Sequence, residues 1–242
     1  MYAFATSNVT RIKFPTPVIC RGLKGKAVAS IAAVASCRTV APHHTVFYEG
    51  DPANNVYEVV RGTLKLFKLL PDGRRQITGF LSPGHLVGVA HDECYLYTAE
   101  AITEVELSSY PRAQFDRLID QVPGFARRLL SATCDELRVA QDQMILLGRM
   151  EAIEKVAHFL LTLTNGRARE GGDEIFVPMS RSDIGDYLGL TTETVSRTLT
   201  ILRHDGVIAL PTPSRIVLQD RKRLERLAEG ETDEGSWGPL KN

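Results

Sequence analysis

Residues 179–204 read MSRSDIGDYLGLTTETVSRTLTILRH. Ser180, with Asp183 three residues on, supplies an N-cap and an acidic first turn for a short helix. Ile184, Tyr187 and Leu188 give that helix an apolar face. Gly189 breaks it, Leu190 turns inward, and Thr191 caps a second helix running to about Leu202, with Val195, Leu199 and Leu202 as its buried side. Two helices joined by a short glycine-containing turn are the helix-turn-helix pattern. The second helix keeps Thr192, Glu193, Ser196 and Arg197 near its N-terminal end, on the side away from Val195 and Leu199. That end of such a helix is the part that reaches base edges in the DNA major groove. An arginine there can donate two hydrogen bonds to guanine, and a glutamate can accept one from cytosine. Glu193 and Arg197 are also spaced for an i,i+4 surface ion pair worth roughly a few tenths of a kcal/mol. Within a complete helix-turn-helix, base reading by Thr191, Thr192, Glu193, Ser196 and Arg197 is the expectation.

Downstream, Asp205-Gly206 turns into residues 207–210, Pro211-Thr212-Pro213-Ser214 forms a tight loop, and residues 215–218 return. This reads as a two-stranded wing beside the helices. Residues 191–223 hold six cations (Arg197, Arg203, Arg215, Arg221, Lys222, Arg223) and three acids (Glu193, Asp205, Asp220), a surplus of three positive charges. The sign suits contact with phosphates, for which Ser180, Arg181, Arg203, Arg221 and Lys222 are the candidates.

Upstream, residues 149–165 (RMEAIEKVAHFLLTLTN) form an amphipathic helix ended by Gly166, followed by a charged, glycine-rich loop over 167–173 and a short strand at Ile175-Phe176-Val177 stopped by Pro178. After Gly124 no glycine or proline interrupts the chain until Gly148. Leu130, Cys134, Leu137, Gln141 and Met144 recur at 4-3-4-3 spacing, a heptad stripe. A helix of some 25 residues with such broad apolar cover does not stand alone in water. One face is expected on the preceding β domain and the stripe on a second copy of the chain; a helix packed wholly within one chain is the alternative. Gln141 within the stripe could fix its register, and Cys134 is expected to be interior and inert.

Residues 38–110 have a different texture. Short apolar runs such as residues 63–68 alternate with turn signals at Glu49-Gly50-Asp51-Pro52, Arg61-Gly62, Pro71-Asp72-Gly73-Arg74 and Ser82-Pro83-Gly84. This spacing predicts an antiparallel β-roll, with Gly62, Gly73 and Gly84 where turns demand unusual backbone angles. Small residues 27–35 suit one short helix. The expected fold class is therefore α+β. Its parts are an N-terminal extension (1–30), a β-roll (31–110), a central dimerisation helix (111–148), a winged helix-turn-helix (149–228) and a polar tail (229–242).

The whole chain of 242 residues carries 29 Lys and Arg against 29 Asp and Glu. It has no generic pull toward nucleic acid or anionic lipid, so any such contact must be local. No apolar run approaches the ~20 residues of a membrane span, and the first residues lack the apolar stretch of a signal peptide. Cys20, Cys37, Cys94 and Cys134 lie far apart without a C-x-x-C, which suits reduced thiols and a cytoplasmic location. The sequence has no G-x-S-x-G, P-loop or H-E-x-x-H, so no enzyme activity is expected. His43-His44 and the His91, Cys94 pair do not amount to a ligand set, and no metal site is expected.

Taken together, Phe47-Tyr48-Glu49-Gly50-Asp51, Tyr57-Glu58-Val59-Val60-Arg61-Gly62, Pro71-Asp72-Gly73-Arg74-Arg75 and Ser82-Pro83-Gly84-His85 resemble the β-roll of the Crp–Fnr family of bacterial transcription regulators. Asp183-Ile184-Gly185-Asp186-Tyr187-Leu188-Gly189-Leu190 and Glu193-Thr194-Val195-Ser196-Arg197 resemble its DNA-binding module. The Glu-x-x-Ser-Arg pattern and the LLGRMEAIEKVAHFLL segment are similar to the FixK-like branch. The resemblance, over about residues 38–226, implies a cyclic-nucleotide-binding-domain-like roll. It also implies homodimers on palindromic TTGA/TCAA-type sites in double-stranded DNA, with RNA polymerase as a partner.

The same resemblance speaks against the family's usual cofactors. Members that bind cyclic AMP hold it with a Gly-Glu and an Arg-Ser pair, where this chain has Gly88-Val89 and Tyr97-Thr98. Members with an iron–sulfur cluster gather N-terminal cysteines with one more in the roll, where this chain has only Cys20, Cys37 and then Val105. A buried phosphate without a cation is costly, and a cluster needs about four thiolates. No bound cofactor is expected. Gating by another ligand, haem or thiol oxidation is the alternative.

Overall fold

The computed structural model describes residues 25–89, 93–165 and 174–231. Most of the N-terminal extension with Cys20, then His91, the 167–173 loop and the tail beyond residue 231 lie outside the described residues.

Helix α1 (Lys26–Val34) precedes eight strands: β1 (Ser36–Val40), β2 (Thr45–Phe47), β3 (Asn55–Arg61), β4 (Leu64–Leu69), β5 (Arg75–Leu81), β6 (Leu86–Val87), β7 (Thr98–Ala101) and β8 (Val105–Pro111). They form two four-stranded antiparallel sheets, ordered β1-β8-β3-β6 and β2-β7-β4-β5. The expected β-roll is present. Val59, Leu64, Ala99, Val105 and Leu107 fill its interior, all fully buried. Gly62 has φ 87°, and a Cβ on it would lie 2.2 Å from the Glu104 carbonyl oxygen, so this turn admits only glycine.

The segment 111–148 is two helices rather than one. Helix α2 (Arg112–Gln121) stops at Val122, because Pro123 disfavours helical angles in the residue before it. Gly124 then adopts the left-handed conformation at φ 82°, and α3 (Phe125–Arg149) runs for the expected 25 residues. Phe115, Phe125, Tyr110, Val56 and Ile31 lock α1, α2 and the start of α3 onto one sheet.

Beyond that anchor α3 leaves the roll. All residues from 131 to 140 are exposed, and the helix is gripped again only near Leu146. Leu130, Leu137 and Met144 are 64%, 58% and 73% exposed, and Cys134 and Gln141 are exposed too. The expectation that one face of this helix lies on the roll fails along its middle. Cys134 is not interior in the single chain.

The C-terminal unit comprises α4 (Ala152–Asn165), β9 (Glu174–Phe176), α5 (Arg181–Leu188), α6 (Thr192–His204), β10 (Ile208–Thr212), β11 (Arg215–Leu218) and α7 (Arg221–Ala228). Val156, Leu160, Leu188, Val195, Leu202, Ile208 and Leu224 form its core. The wing has three strands, ordered β10-β11-β9, not two. Residues 174–176 pair with β11, where Arg215 and Glu174 add an ion pair at 2.7 Å.

This unit is docked on the roll. Lys65 on β4 and Arg75 on β5 donate to the same oxygen of Asp183, Oδ1, at 2.9 Å and 2.8 Å. Lys65 also pairs with Glu100 at 3.0 Å, and Arg75 Nε donates to Asp186 at 2.8 Å. Gln76 Nε2 donates to the Asp186 carbonyl at 2.7 Å. Beside these groups, Phe80 meets Phe159 and Tyr187 with ring centroids 6.1 Å and 5.1 Å away. Lys65 and Asp183 are 4% and 6% exposed, unusual for residues of their type. Burial pushes the Asp183 carboxyl up, but hydrogen bonds from Lys65 and Ser180, with the charges of Lys65 and Arg75, outweigh it and hold the group below its ordinary value.

Two stability measurements follow. A Cβ at Gly185 would lie 2.6 Å from the Leu190 carbonyl oxygen, whereas one at Gly148, within α3, meets nothing within 4 Å. Chemical denaturation should show Gly185→Ala losing about 1–3 kcal/mol and Gly148→Ala gaining up to about 1 kcal/mol. The second concerns acid. Because the folded Asp183 value lies below its ordinary 3.8, its stabilisation is complete at neutral pH and disappears as pH falls through and below that value. Asp183→Asn should therefore be less stable than wild type at pH 7, and the gap should narrow on acidification. A gap that stays constant down to pH 3 contradicts the assignment.

Candidate nucleic-acid interface

The two helices of the motif are capped as their sequence requires. Ser180 and Asp183 form a reciprocal capping box: the Ser180 hydroxyl accepts from the Asp183 amide, and Asp183 Oδ2 accepts from Ser180 Oγ at 2.7 Å and from its backbone N–H at 3.3 Å. Gly189 ends α5 in the left-handed conformation at φ 65°. Thr191 caps α6, its Oγ1 accepting from the Thr194 amide at 3.1 Å. Val195, Thr198, Leu199 and Leu202 point into the core, and α6 extends to His204, two residues past the expected end.

The opposite side of α6 is bare. Thr191, Thr192, Glu193, Ser196 and Arg197 are all exposed. The Ser196 hydroxyl donates to the Thr192 carbonyl at 2.8 Å and keeps its acceptor capacity. The i,i+4 ion pair that Glu193 and Arg197 could have made is not formed: among the described residues no ion pair within 4.0 Å holds either of them. The five residues thus present hydroxyls, one free carboxylate and one free guanidinium from the first turns of a single helix. These are the groups that read base edges in a major groove.

The candidate phosphate contacts are scattered. The Ser180 hydroxyl is engaged in the cap. Arg181 Nη2 donates to the Pro213 carbonyl in the wing loop at 3.3 Å, its Nη1 is buried without a partner, and burial pulls the guanidinium down from its ordinary value. In this position Arg181 ties α5 to the wing. Arg203 and Lys222 are exposed on separate helices, and Arg221 pairs with Glu225 at 2.9 Å along α7, a helix the sequence reading did not foresee.

The stretch that would hold a cyclic phosphate lies in the roll. Gly88-Val89 and Tyr97-Thr98 supply neither a cation nor a carboxylate there. Arg112 is turned to the backbone, donating to the carbonyls of Ala53, Gly88 and Val89. The Tyr95 ring stacks on Phe47 at 3.7 Å, donates its hydroxyl to the Asn55 carbonyl at 2.8 Å, and sits 2.9 Å from where a Gly88 Cβ would be. Burial pushes the Tyr95 phenol up to about 12, so it stays a neutral donor. These residues do not fit a cyclic nucleotide. Cys37, Cys94 and Cys134 are exposed on separate segments. Among the described residues, no three His, Cys, Asp or Glu side chains gather in a way that could hold a metal ion. No helix among them is long and apolar enough to cross a membrane.

Comparison with known proteins bears on the same parts of the chain. Residues 154–227 match the Crp-like helix-turn-helix domain, and residues 37–122 match the cyclic nucleotide-binding domain. The nitrogen fixation regulation protein FixK of Bradyrhizobium diazoefficiens is 45% identical over 186 residues, covering 76% of this chain and 78% of that protein. The transcriptional activatory protein AadR of Rhodopseudomonas palustris is 42% identical over 189 residues, covering 77% and 79%. The structure of FixK2 from Bradyrhizobium japonicum aligns with a TM-score of 0.75 at 40% identity, covering 80% of this chain and 97% of that one. With both domains matched and relatives this similar along most of their length, the chain belongs to the Crp–Fnr family of DNA-binding transcription regulators.

Proposed function

We propose that the protein is a cytoplasmic homodimer that reads palindromic TTGA/TCAA-type DNA and acts on transcription together with RNA polymerase, without a resident cyclic nucleotide or iron–sulfur cluster. One observation carries the reading: Glu193 and Arg197, beside Thr191, Thr192 and Ser196, stand exposed on the outer side of a capped helix and form no ion pair among the described residues. A free guanidinium and a free carboxylate on a rigid helix suit base recognition. Exposed Arg203 and Lys222 are the most accessible of the candidate phosphate contacts, while Arg221 is engaged with Glu225. Ser180 and Arg181 serve the position of α5 first. An activator role extends what the name of the AadR relative, a transcriptional activatory protein, says of that protein.

Pairing is supported by α3. Leu130, Leu137 and Met144 recur every seven residues on an exposed helix, with Cys134 and Gln141 between them. Each large apolar side chain covered by a second copy contributes about 1.5–3 kcal/mol, and two linked DNA contacts multiply the affinity of one.

Two experiments test this reading. Competitive binding to a TTGA-N6-TCAA palindrome and its single-base variants should show Arg197→Ala losing about 1–3 kcal/mol on the intact site and discriminating less at one G·C pair in each half-site. Equal loss on every variant would reduce Arg197 to a phosphate contact. In sedimentation, wild type should be a dimer. Leu137→Glu should be a monomer whose palindrome affinity is lower by about a hundredfold or more. A monomeric wild type that still binds the palindrome tightly contradicts the seam.

A further inference from the structure

The contact between the roll and α5 has a feature that simple adhesion does not need. An apolar surface of the same size would hold the two units together at least as well, because burying charges sacrifices hydration. Apolar contacts such as Phe80 with Phe159 and Tyr187 also tolerate sliding. Charged hydrogen bonds do not, since they weaken steeply with angle and distance. Here Lys65 and Arg75 converge on one oxygen of Asp183, and Arg75 reaches on to Asp186, also on α5. The other Asp183 oxygen is held by the cap of α5 itself. Position and direction of α5 are thereby fixed relative to the roll.

That constraint passes on to α6. Gly185 lets the backbone at Leu190 approach so closely that even a methyl group would collide with it, which leaves α5 and α6 little relative freedom. On its other flank α5 meets α3, where Gln143 Nε2 donates to the Tyr187 carbonyl at 2.8 Å and Leu147 Cδ2 lies 3.3 Å from where a Gly189 Cβ would be. One short helix therefore relates the roll, the long helix with the exposed stripe, and the bare face of α6. All the partners belong to the chain itself.

We propose that Lys65 and Arg75 are positioning residues for DNA reading: through Asp183 and Asp186 they set the direction in which α6 projects, and with it the half-site spacing that a paired protein accepts. This rests on the two-fold DNA reading above. Neither residue touches DNA. Their effect is on geometry, so it falls on the spacing preference and leaves the chemistry of base contact unchanged.

The experiment uses the full chain and palindromes whose half-sites are separated by about four to eight base pairs, with a random-sequence duplex as reference. Wild type should prefer one spacer by about tenfold or more over its neighbours. Arg75→Met, at the partly exposed end of the cluster, should bind that spacer about tenfold more weakly and discriminate among spacers less than about threefold. Its affinity for random duplex and its dimeric state should be unchanged. Arg75→Lys, which keeps the charge, should retain the preference, and Lys65→Met should resemble Arg75→Met. The proposal is overturned if Arg75→Met keeps the wild-type spacing profile. It is also overturned if the variant loses specific and random binding in parallel with thermal stability, which would make the cluster merely structural. A wild type indifferent to every palindrome overturns the DNA reading itself, a result distinct from either of these.

Discussion

The Asp183 carboxylate is buried, and its two oxygens have separate duties. Oδ2 closes the capping box that starts α5, while Oδ1 takes hydrogen bonds from Lys65 and Arg75 of the roll. A local requirement of helix geometry and a long-range requirement of domain arrangement meet in one side chain. Without the two cations the carboxylate would be an uncompensated buried charge. Without the cap, α5 would begin with free amides next to that charge. The rest follows from this joint: α5 fixes α6 through the close approach of Gly185 to Leu190, and α6 then presents a face left exposed by the described residues.

The division of labour in the chain follows from its charge. With equal numbers of acids and bases overall, the protein cannot rely on bulk attraction to a polyanion. Placed contacts must supply the affinity, and one short helix offers few of them. Under the proposed pairing through the exposed stripe on α3, a second copy would double the contacts and make the second set intramolecular. The roll, by contrast, matches a cyclic-nucleotide-binding domain, yet Gly88-Val89 and Tyr97-Thr98 bring neither a cation nor a carboxylate, and Tyr95 is stacked on Phe47. On this account its part is mechanical, a rigid body that anchors α2 and α3 at one end and α5 at the other.

The legible parts of the sequence were those decided by neighbours in the chain. Ser180, Gly189 and Thr191 act over three or four residues, so both helices of the motif and the turn between them could be placed from spacing alone. The 25-residue length of α3 was likewise set by the absence of breakers. The break at Val122-Pro123-Gly124 was equally local, yet the reading passed over it and joined α2 to α3. What stayed hidden depends on distant pairs. The third wing strand needs residues 174–176 to find residues 215–217. Nothing near Lys65 in the sequence marks it for burial; it is buried because α5, with Asp183 118 residues away, covers that face of the sheet. The exposure of Cys134 was missed for a related reason. Heptad spacing identifies a face that wants cover, but among the described residues nothing covers Cys134.

The central claim is that two bare α6 faces, carried by paired chains, read a palindrome. Its most direct test is selection from a random pool of duplex DNA by the purified full-length protein, followed by sequencing of the bound fraction. The account predicts enrichment of inverted repeats of a TTGA-like half-site whose centres lie about one helical turn apart. Enrichment of single, unpaired motifs, or no enrichment above the starting pool, would contradict it.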